Sequence, residues 1–133
     1  MRSVSAFGIE ETRSVAEIRV PAHIQPYVTA IGIEKTVQFL LAFGGSYVYL
    51  SENPQDRSPV ARAIGKVAAT ELARHVGPGG FRCPTGKPFI AAHLKYNKGF
   101  TTNDIARELH TTDVTIRNWL KAGESSQLDL FGL

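Results

Sequence analysis

GFTTNDIARELHTTDVTIRNWL, residues 99–120, is the stretch that decides the fold class. Two of its threonines, Thr101 and Thr112, each stand just before a run of residues with helical apolar spacing. A threonine hydroxyl in that position accepts a hydrogen bond from an amide of the first turn and caps the helix. Thr101 and Asp104 also have the spacing of a capping box. The stretch therefore predicts two helices joined by the turn His110-Thr111-Thr112.

The apolar spacing also predicts which side of the second helix faces outward. This helix is predicted over residues 113–121 and places Ile116, Trp119 and Leu120 on one apolar side. The small side chain of Ala106 on the first helix allows the two helices to cross closely. The remaining side is expected to be exposed, and it is formed by Thr112, Asp113, Val114, Arg117, Asn118 and Lys121.

The exposed side has the chemistry of a surface that contacts bases in the major groove of DNA. Asn118 can bond an adenine edge through two atoms, Arg117 can bond guanine or phosphate, and Val114 can contact a thymine methyl. Asp113 either accepts a hydrogen bond from cytosine or only stabilises the helix start. Contacts to backbone phosphates are expected from Lys95, Lys98, Thr101 and Thr102.

These features together predict a helix-turn-helix that binds double-stranded DNA. A preceding helix, opened by Pro88 and ended by Gly99, would complete a three-helix unit over residues 87–122 with Phe89, Ile90 and Leu94 facing inward. The alternative interpretation is a three-helix packing unit that uses the same apolar positions and binds nothing.

Residues 21–86 contain an internal repeat. Ile31-Gly32, a helix, Gly44-Gly45 and a strand are followed by Ile64-Gly65, a helix, Gly79-Gly80 and a second strand. The Ile-Gly pair recurs after 33 residues and the Gly-Gly pair after 35, which predicts a later glycine turn that is two residues longer. Two short strands with amphipathic helices bury little core, so we expect this segment to form a twofold homodimer. A dimer also suits a helix-turn-helix that contacts two half-sites.

The expected fold is mainly α with two short strands, at Ser46–Leu50 and Phe81–Cys83. Leu41 and Val67 belong to helical apolar stripes and are expected to be buried. The expected organisation is a flexible arm at 1–20, a helix–strand–helix–strand dimerisation domain at 21–86, the helix-turn-helix domain at 87–122, and a flexible tail at 123–133.

The composition is that of an ordinary globular protein, with 133 residues of which 43% are hydrophobic and 20% charged. No apolar run approaches the roughly 18–20 residues that a membrane span needs, so no membrane association is expected. The single cysteine, Cys83, excludes an internal disulfide and suits the cytoplasm, and we expect it to pack on a strand. Residues 86–122 contain six Lys or Arg and three Asp or Glu, a positive balance that suits phosphate contacts.

No arrangement of residues predicts an active site. His23, His75, His93 and His110 are scattered, and no spacing puts two of them on one helix face beside a carboxylate, so no metal site is expected. The glycine pairs are not followed by Gly-Lys-Ser or Gly-Lys-Thr, and Gly86-Lys87-Pro88 lacks the rest of a phosphate-binding loop. We therefore expect neither enzymatic activity nor a cofactor.

Three segments carry a resemblance to a known family: IGIEKTVQFLLAFGGSYVYL at 31–50, IGKVAATELA with GPGG at 64–80, and the stretch at 99–120. Over about residues 21–122 the chain resembles the Mor family of transcription activators from Mu-like phages. The resemblance implies a dimerisation domain, a DNA-binding domain, binding near a promoter and recruitment of RNA polymerase. Two features depart from the family: Ser51-Glu52 replaces the common Pro-Lys or Pro-Arg after the strand, and the glycine turn is duplicated.

The last residues carry a second resemblance. The run QLDLF is similar to the bacterial sliding-clamp-binding peptide, which implies a partner site formed by Gln127, Leu128, Asp129, Leu130 and Phe131. A short peptide of this kind anchors apolar side chains in a pocket and forms hydrogen bonds at a second subsite. In the alternative, these side chains fold back onto the protein. The expected function is thus a DNA-binding transcription regulator, and the alternative is a replication or mobile-element accessory protein that docks on the clamp.

Overall fold

The described part of the chain is mainly helical with one two-stranded sheet, as the sequence predicts. The computed structural model describes the backbone of residues 18–130 and the side chains of residues 18–123, so most of the expected arm lies outside it. Two compact units are present: Val20–Gly86, and a second unit in which Ile18 and Arg19 are grouped with the helices from Lys87 onward. The elements in chain order are α1 (Gln25–Phe43), β1 (Tyr47–Leu50), α2 (Pro59–Ile64), α3 (Lys66–Val76), β2 (Gly79–Arg82), α4 (Lys87–Tyr96), α5 (Thr102–Leu109) and α6 (Asp113–Leu130).

Helix α1 begins at Gln25, has a proline in its first turn and bends at a glycine. Pro26 lies in the first turn, where a missing N–H is tolerated, so it starts the helix and does not interrupt it. Gly32 has φ of 84° and ψ of 168°, a conformation outside the helical region. The break that the sequence predicts at Gly32 is therefore present.

The internal repeat is visible as matched breaks in the helices of the Val20–Gly86 unit. Gly65 separates α2 from α3 with φ of 91° and ψ of 156°, close to the values at Gly32, 33 residues earlier. The glycines that end α1 and α3, Gly44 and Gly77, are also 33 residues apart. The expected lengthening of the later turn is wrong, because Gly79-Gly80 belong to β2 and not to the turn.

The two strands pair with each other in antiparallel orientation. Tyr47 lies opposite Arg82, and Leu50 lies opposite Gly79. The predicted strands are present with their bounds shifted by one or two residues. The faces alternate: Val48 and Leu50 are buried, whereas Tyr47 and Tyr49 are each 70% exposed.

Two predictions about the core of this unit are wrong. Leu41 is 43% exposed and Val67 is 80% exposed, although both were placed on buried stripes. Gly65 is non-helical and resets the helical phase, so Val67 does not continue the stripe that precedes it. Leu41 lies after Gly32 at the edge of its stripe, whose other members Ile33, Val37 and Leu40 are buried. The buried residues of α3 are Ala69, Leu72 and Ala73.

In the second unit, three helices surround a small apolar core. This core contains Phe89, Ile90, Leu94 and Ile116, as predicted, together with Ile105 and Leu109. Trp119 and Leu120, which the sequence placed beside Ile116, are only half-buried. Helix α6 also extends well past its predicted end at Lys121, through Leu130, because Gly123 does not adopt the positive φ that ends a helix.

Candidate nucleic-acid interface

A tight turn joins α5 to α6. His110 has φ of 55° and ψ of 50°, and is the one non-glycine residue with positive φ in the described part of the chain. The His110 N–H donates to the carbonyl of Ala106, and the Thr111 N–H donates to the same carbonyl over 3.0 Å. A left-handed residue after the last helical turn is a common way to satisfy the terminal carbonyls. The end of α5 thus fixes where α6 can begin.

Both predicted threonine caps are present. The Thr101 hydroxyl accepts a hydrogen bond from the Asp104 amide over 3.1 Å. The Thr112 hydroxyl accepts one from the Thr115 amide over 3.1 Å and donates to the Thr115 hydroxyl over 2.9 Å. Because each cap satisfies an amide that the helix leaves unpaired, the start of α5 and the start of α6 are both well defined.

The residues expected to contact bases lie on the exposed side of α6. Ile116 is fully buried on the opposite side, where the helix packs against α4 and α5. The Val114 side chain is 54% exposed on this side. Asp113 is half-buried, and the exposed members of the set are Thr112, Val114, Arg117, Asn118 and Lys121.

An ion pair lies across this exposed side. Arg117 Nη1 is 2.9 Å from Asp113 Oδ2, with side-chain exposures of 58% and 45%. Asp113 was expected either to stabilise the helix start or to accept a hydrogen bond from cytosine, and its pairing with Arg117 was not predicted. The sequence alone could have predicted this pair, because an acidic residue four positions before a lysine or arginine on one helix is the favourable order for an ion pair. A second pair, between Arg107 and Asp104, lies on α5.

The residues expected to contact phosphates surround the start of α5. Lys98 and Thr101 are exposed, and Lys95 and Thr102 are half-buried. His93, one of the four histidines set aside in the sequence, is 3% exposed, and its Nδ1 lies 2.9 Å from Asn97 Nδ2. His93 is therefore part of the interior of this unit, away from the exposed side of α6.

The residues of the predicted clamp-binding peptide lie at the end of α6 and beyond it. The backbone of residues 127–130 is helical, and Phe131 lies outside the described residues. The side chains of Gln127, Leu128, Asp129 and Leu130 also lie outside the described part.

The Val20–Gly86 unit has a cavity of about 500 Å³ beside the loop between β1 and α2, and none of the predicted site residues lines it. Its walls include Tyr49, Pro54, Arg57 and Pro59. No group of three or more potential metal ligands exists among the described residues. None of the helices in residues 18–130 is long and apolar enough to cross a membrane.

Two buried ionisable groups lie in the same unit. Cys83 is 1% exposed, as expected for a packing residue, and burial raises its pKa from 9.0 to about 11. Burial, with a smaller contribution from Cys83, raises the pKa of Tyr27 from 10.0 to about 12. Both groups are therefore neutral at physiological pH.

Comparison of the chain with protein-family models, curated proteins and solved structures finds no match in any of the three. The resemblance to the Mor family therefore stays a prediction.

Proposed function

We propose that this protein is a DNA-binding transcription regulator whose α5 and α6 form a helix-turn-helix, with α6 entering the major groove. The observation that carries the proposal is the polar, exposed side of a capped helix that packs on its other side through Ile116. That side carries side chains that can bond base edges, together with Val114, which can contact a thymine methyl.

The dimensions of α6 support this function. The residues from 113 to 121 cover about 13 Å of helix axis. The major groove is about 12 Å wide, and a helix with its side chains is about 10–12 Å in diameter, so α6 can enter the groove. The N-terminal residues of such a helix lie closest to the base edges, and Val114, Arg117 and Asn118 are in this part of α6.

Charge also supports the proposal. Six Lys or Arg in residues 86–122 oppose three Asp or Glu, and Lys98 and Lys121 are exposed. Contacts from such cations to phosphates release counterions and make binding depend on salt. We therefore expect affinity for any duplex to fall as the salt concentration rises.

We further propose that the regulator acts as a homodimer in the cytoplasm, binds near promoters and contacts RNA polymerase, as the family resemblance implies. Support for a second copy comes from the Val20–Gly86 unit, where several large apolar or aromatic side chains are exposed. These are Leu41, Tyr47, Tyr49 and Val67.

Selection of bound duplexes from a random pool tests the function. We expect the protein to enrich one sequence, with twofold symmetry if it binds as a dimer. A variant with Arg117→Ala and Asn118→Ala should lose the enrichment, whereas the matched control Arg62→Ala, on an exposed part of α2, should keep it. No enrichment over the random pool by the unaltered protein would contradict specific regulation.

A second candidate function rests on the QLDLF run. In this proposal the protein is a replication or mobile-element accessory protein that binds DNA and docks on the sliding clamp. Deleting residues 127–131 should then abolish binding to immobilised clamp and leave promoter output unchanged. If Phe131→Ala does not weaken clamp binding by the tail peptide, this candidate is wrong.

A further inference from the structure

We propose that Asp113 is a positioning residue that orients the Arg117 guanidinium and thereby sets a base preference of the DNA contact. The inference rests on the proposed function and deepens it. The Asp113–Arg117 ion pair on α6 thereby has a role in DNA recognition in addition to any effect on the stability of the helix.

The geometry of the pair leaves Arg117 able to bind a base. Arg117 Nη1 lies 2.9 Å from Asp113 Oδ2, and a guanidinium carries five N–H donors. The Arg117 side chain is still 58% exposed, so other donors remain accessible to a ligand. A guanidinium can accordingly hold a carboxylate through one nitrogen while it bonds O6 and N7 of guanine through its remaining N–H groups.

Asp113 is suited to be the fixed member of the pair. It lies in the first turn of α6, where the helix dipole favours a negative charge. Its side chain is short and is 45% exposed, so it loses less conformational freedom on pairing than the longer Arg117.

The helix start does not need Asp113 as its cap. The Thr112 hydroxyl already accepts the Thr115 amide, and it donates to the Thr115 hydroxyl. The Asp113 carboxylate is therefore left to interact with Arg117. This division of roles between adjacent residues distinguishes a positioning role from ordinary capping.

The pair has two opposite effects on DNA binding. A negative charge on the groove-facing side repels phosphates, which weakens binding to every sequence. An oriented guanidinium loses less freedom when it binds guanine, which strengthens binding to one sequence. The first effect lowers general affinity without changing the preference between sequences, and the second effect increases that preference.

The positioning role of Asp113 is tested by comparing the variants Asp113→Asn and Asp104→Asn. Each variant removes one negative charge from an exposed pair with an arginine, but the Asp104 pair lies on α5. Binding to the selected duplex, to single-base variants of that duplex and to random duplex is measured over a range of salt concentrations. Circular dichroism of each variant verifies that it is folded.

With Asp113→Asn we expect about a tenfold loss of preference at one base pair. Binding to random duplex should rise, and the salt slope should steepen by about 0.9 because Arg117 becomes available to a phosphate. Asp104→Asn should raise binding to random duplex without changing any base preference. Asp113→Glu should restore part of the preference, and Arg117→Lys should lose it while keeping the charge.

Two outcomes would overturn the proposal while the proposed function stands. One is a selected duplex whose base preferences are the same for Asp113→Asn and the unaltered protein. The other is an equal change at all bases for Asp113→Asn and Asp104→Asn, which would indicate net charge alone. Failure of the proposed function is seen separately, because the unaltered protein would then select no duplex.

Discussion

Asn118 and Arg117 are adjacent on α6 and both exposed, but they have different surroundings. Arg117 is paired with Asp113, whereas the Asn118 side chain is uncharged and forms no ion pair. The amide of an asparagine can bond the N6 and N7 edge of adenine without help from a second residue. Asn118 is therefore the simplest test of direct base contact.

We expect Asn118→Ala to weaken binding to the selected duplex by about 1–3 kcal/mol and to relax the preference at one base pair. Fluorescence titration with the selected duplex and its single-base variants measures both effects. The control Lys121→Ala should weaken all duplexes alike and reduce the salt slope by about 0.9. An equal loss on every sequence for Asn118→Ala would make Asn118 a backbone contact.

The threonine cap of α6 provides a prediction about stability. Thr112→Ala removes the acceptor of the Thr115 amide, so we expect it to lower the free energy of unfolding by about 1 kcal/mol. Urea unfolding followed by circular dichroism measures the change. Thr111→Ala is the matched control, since Thr111 contributes its backbone N–H to the turn and that bond is kept. Equal effects of the two substitutions would contradict a cap at Thr112.

At the level of helices and strands, the sequence predicts features that depend on nearby residues, such as helix caps. It does not predict features that depend on packing between distant elements, such as the burial of particular side chains. The caps at Thr101 and Thr112 depend on residues three positions away, so spacing alone predicts them. The exposure of Val67 depends on the direction of the helix after Gly65, and the exposure of Leu41 depends on how far the neighbouring elements cover its stripe. Spacing along the sequence contains neither. The predicted end of α6 at Lys121 was wrong for a related reason, because a glycine such as Gly123 can either end a helix or continue it.

The candidate site shows the same division. Its exposed residues follow from the apolar stripe of α6, and the Asp113–Arg117 pair follows from a spacing of four. The apolar stripe does not predict that Trp119 and Leu120 are only half-buried. Their exposure depends on where α4 and α5 stop covering α6. The sequence therefore predicts the face that could bind DNA better than it predicts the extent of the core beneath it.

The matched breaks of the repeat lead to a prediction about α1 and α2. Gly32 and Gly65 have positive φ, yet an added Cβ at either would meet no atom within 4 Å. Any destabilisation by Gly32→Ala or Gly65→Ala must therefore come from backbone conformation, and we expect about 1–2 kcal/mol for each. Urea unfolding measures it.

Gly123→Ala is the matched control for these two substitutions. Gly123 lies inside α6 without positive φ, and an added Cβ there also meets nothing within 4 Å. Alanine should therefore stabilise α6 by about 0.5–1 kcal/mol, the opposite sign. If Gly32→Ala and Gly65→Ala also stabilise the protein, the two breaks are not required by the fold.

At the level of the complete protein, the buried groups of the Val20–Gly86 unit make its stability depend on pH. Burial raises the pKa of Cys83 from 9.0 to about 11, so the unfolded chain releases this proton at lower pH than the folded one. The stabilising contribution of the neutral thiol is complete below pH 9, and it is lost as the pH rises toward 11. The raised pKa of Tyr27, about 12, acts in the same direction at higher pH.

We expect the urea midpoint of unfolding to fall between pH 9 and 11, and to fall less in Cys83→Ala. The substitution itself destabilises the core, so the comparison is between the slopes of midpoint against pH and not between the midpoints at one pH. Lysine deprotonation contributes equally to both proteins and cancels in that comparison. A second measurement is alkylation of the thiol, which should be slow in the folded protein at pH 8 and rapid in urea, because only the exposed thiolate reacts. Equal slopes together with rapid alkylation of the folded protein would mean that Cys83 is exposed in solution, and that β2 does not close over the core where the structure has it.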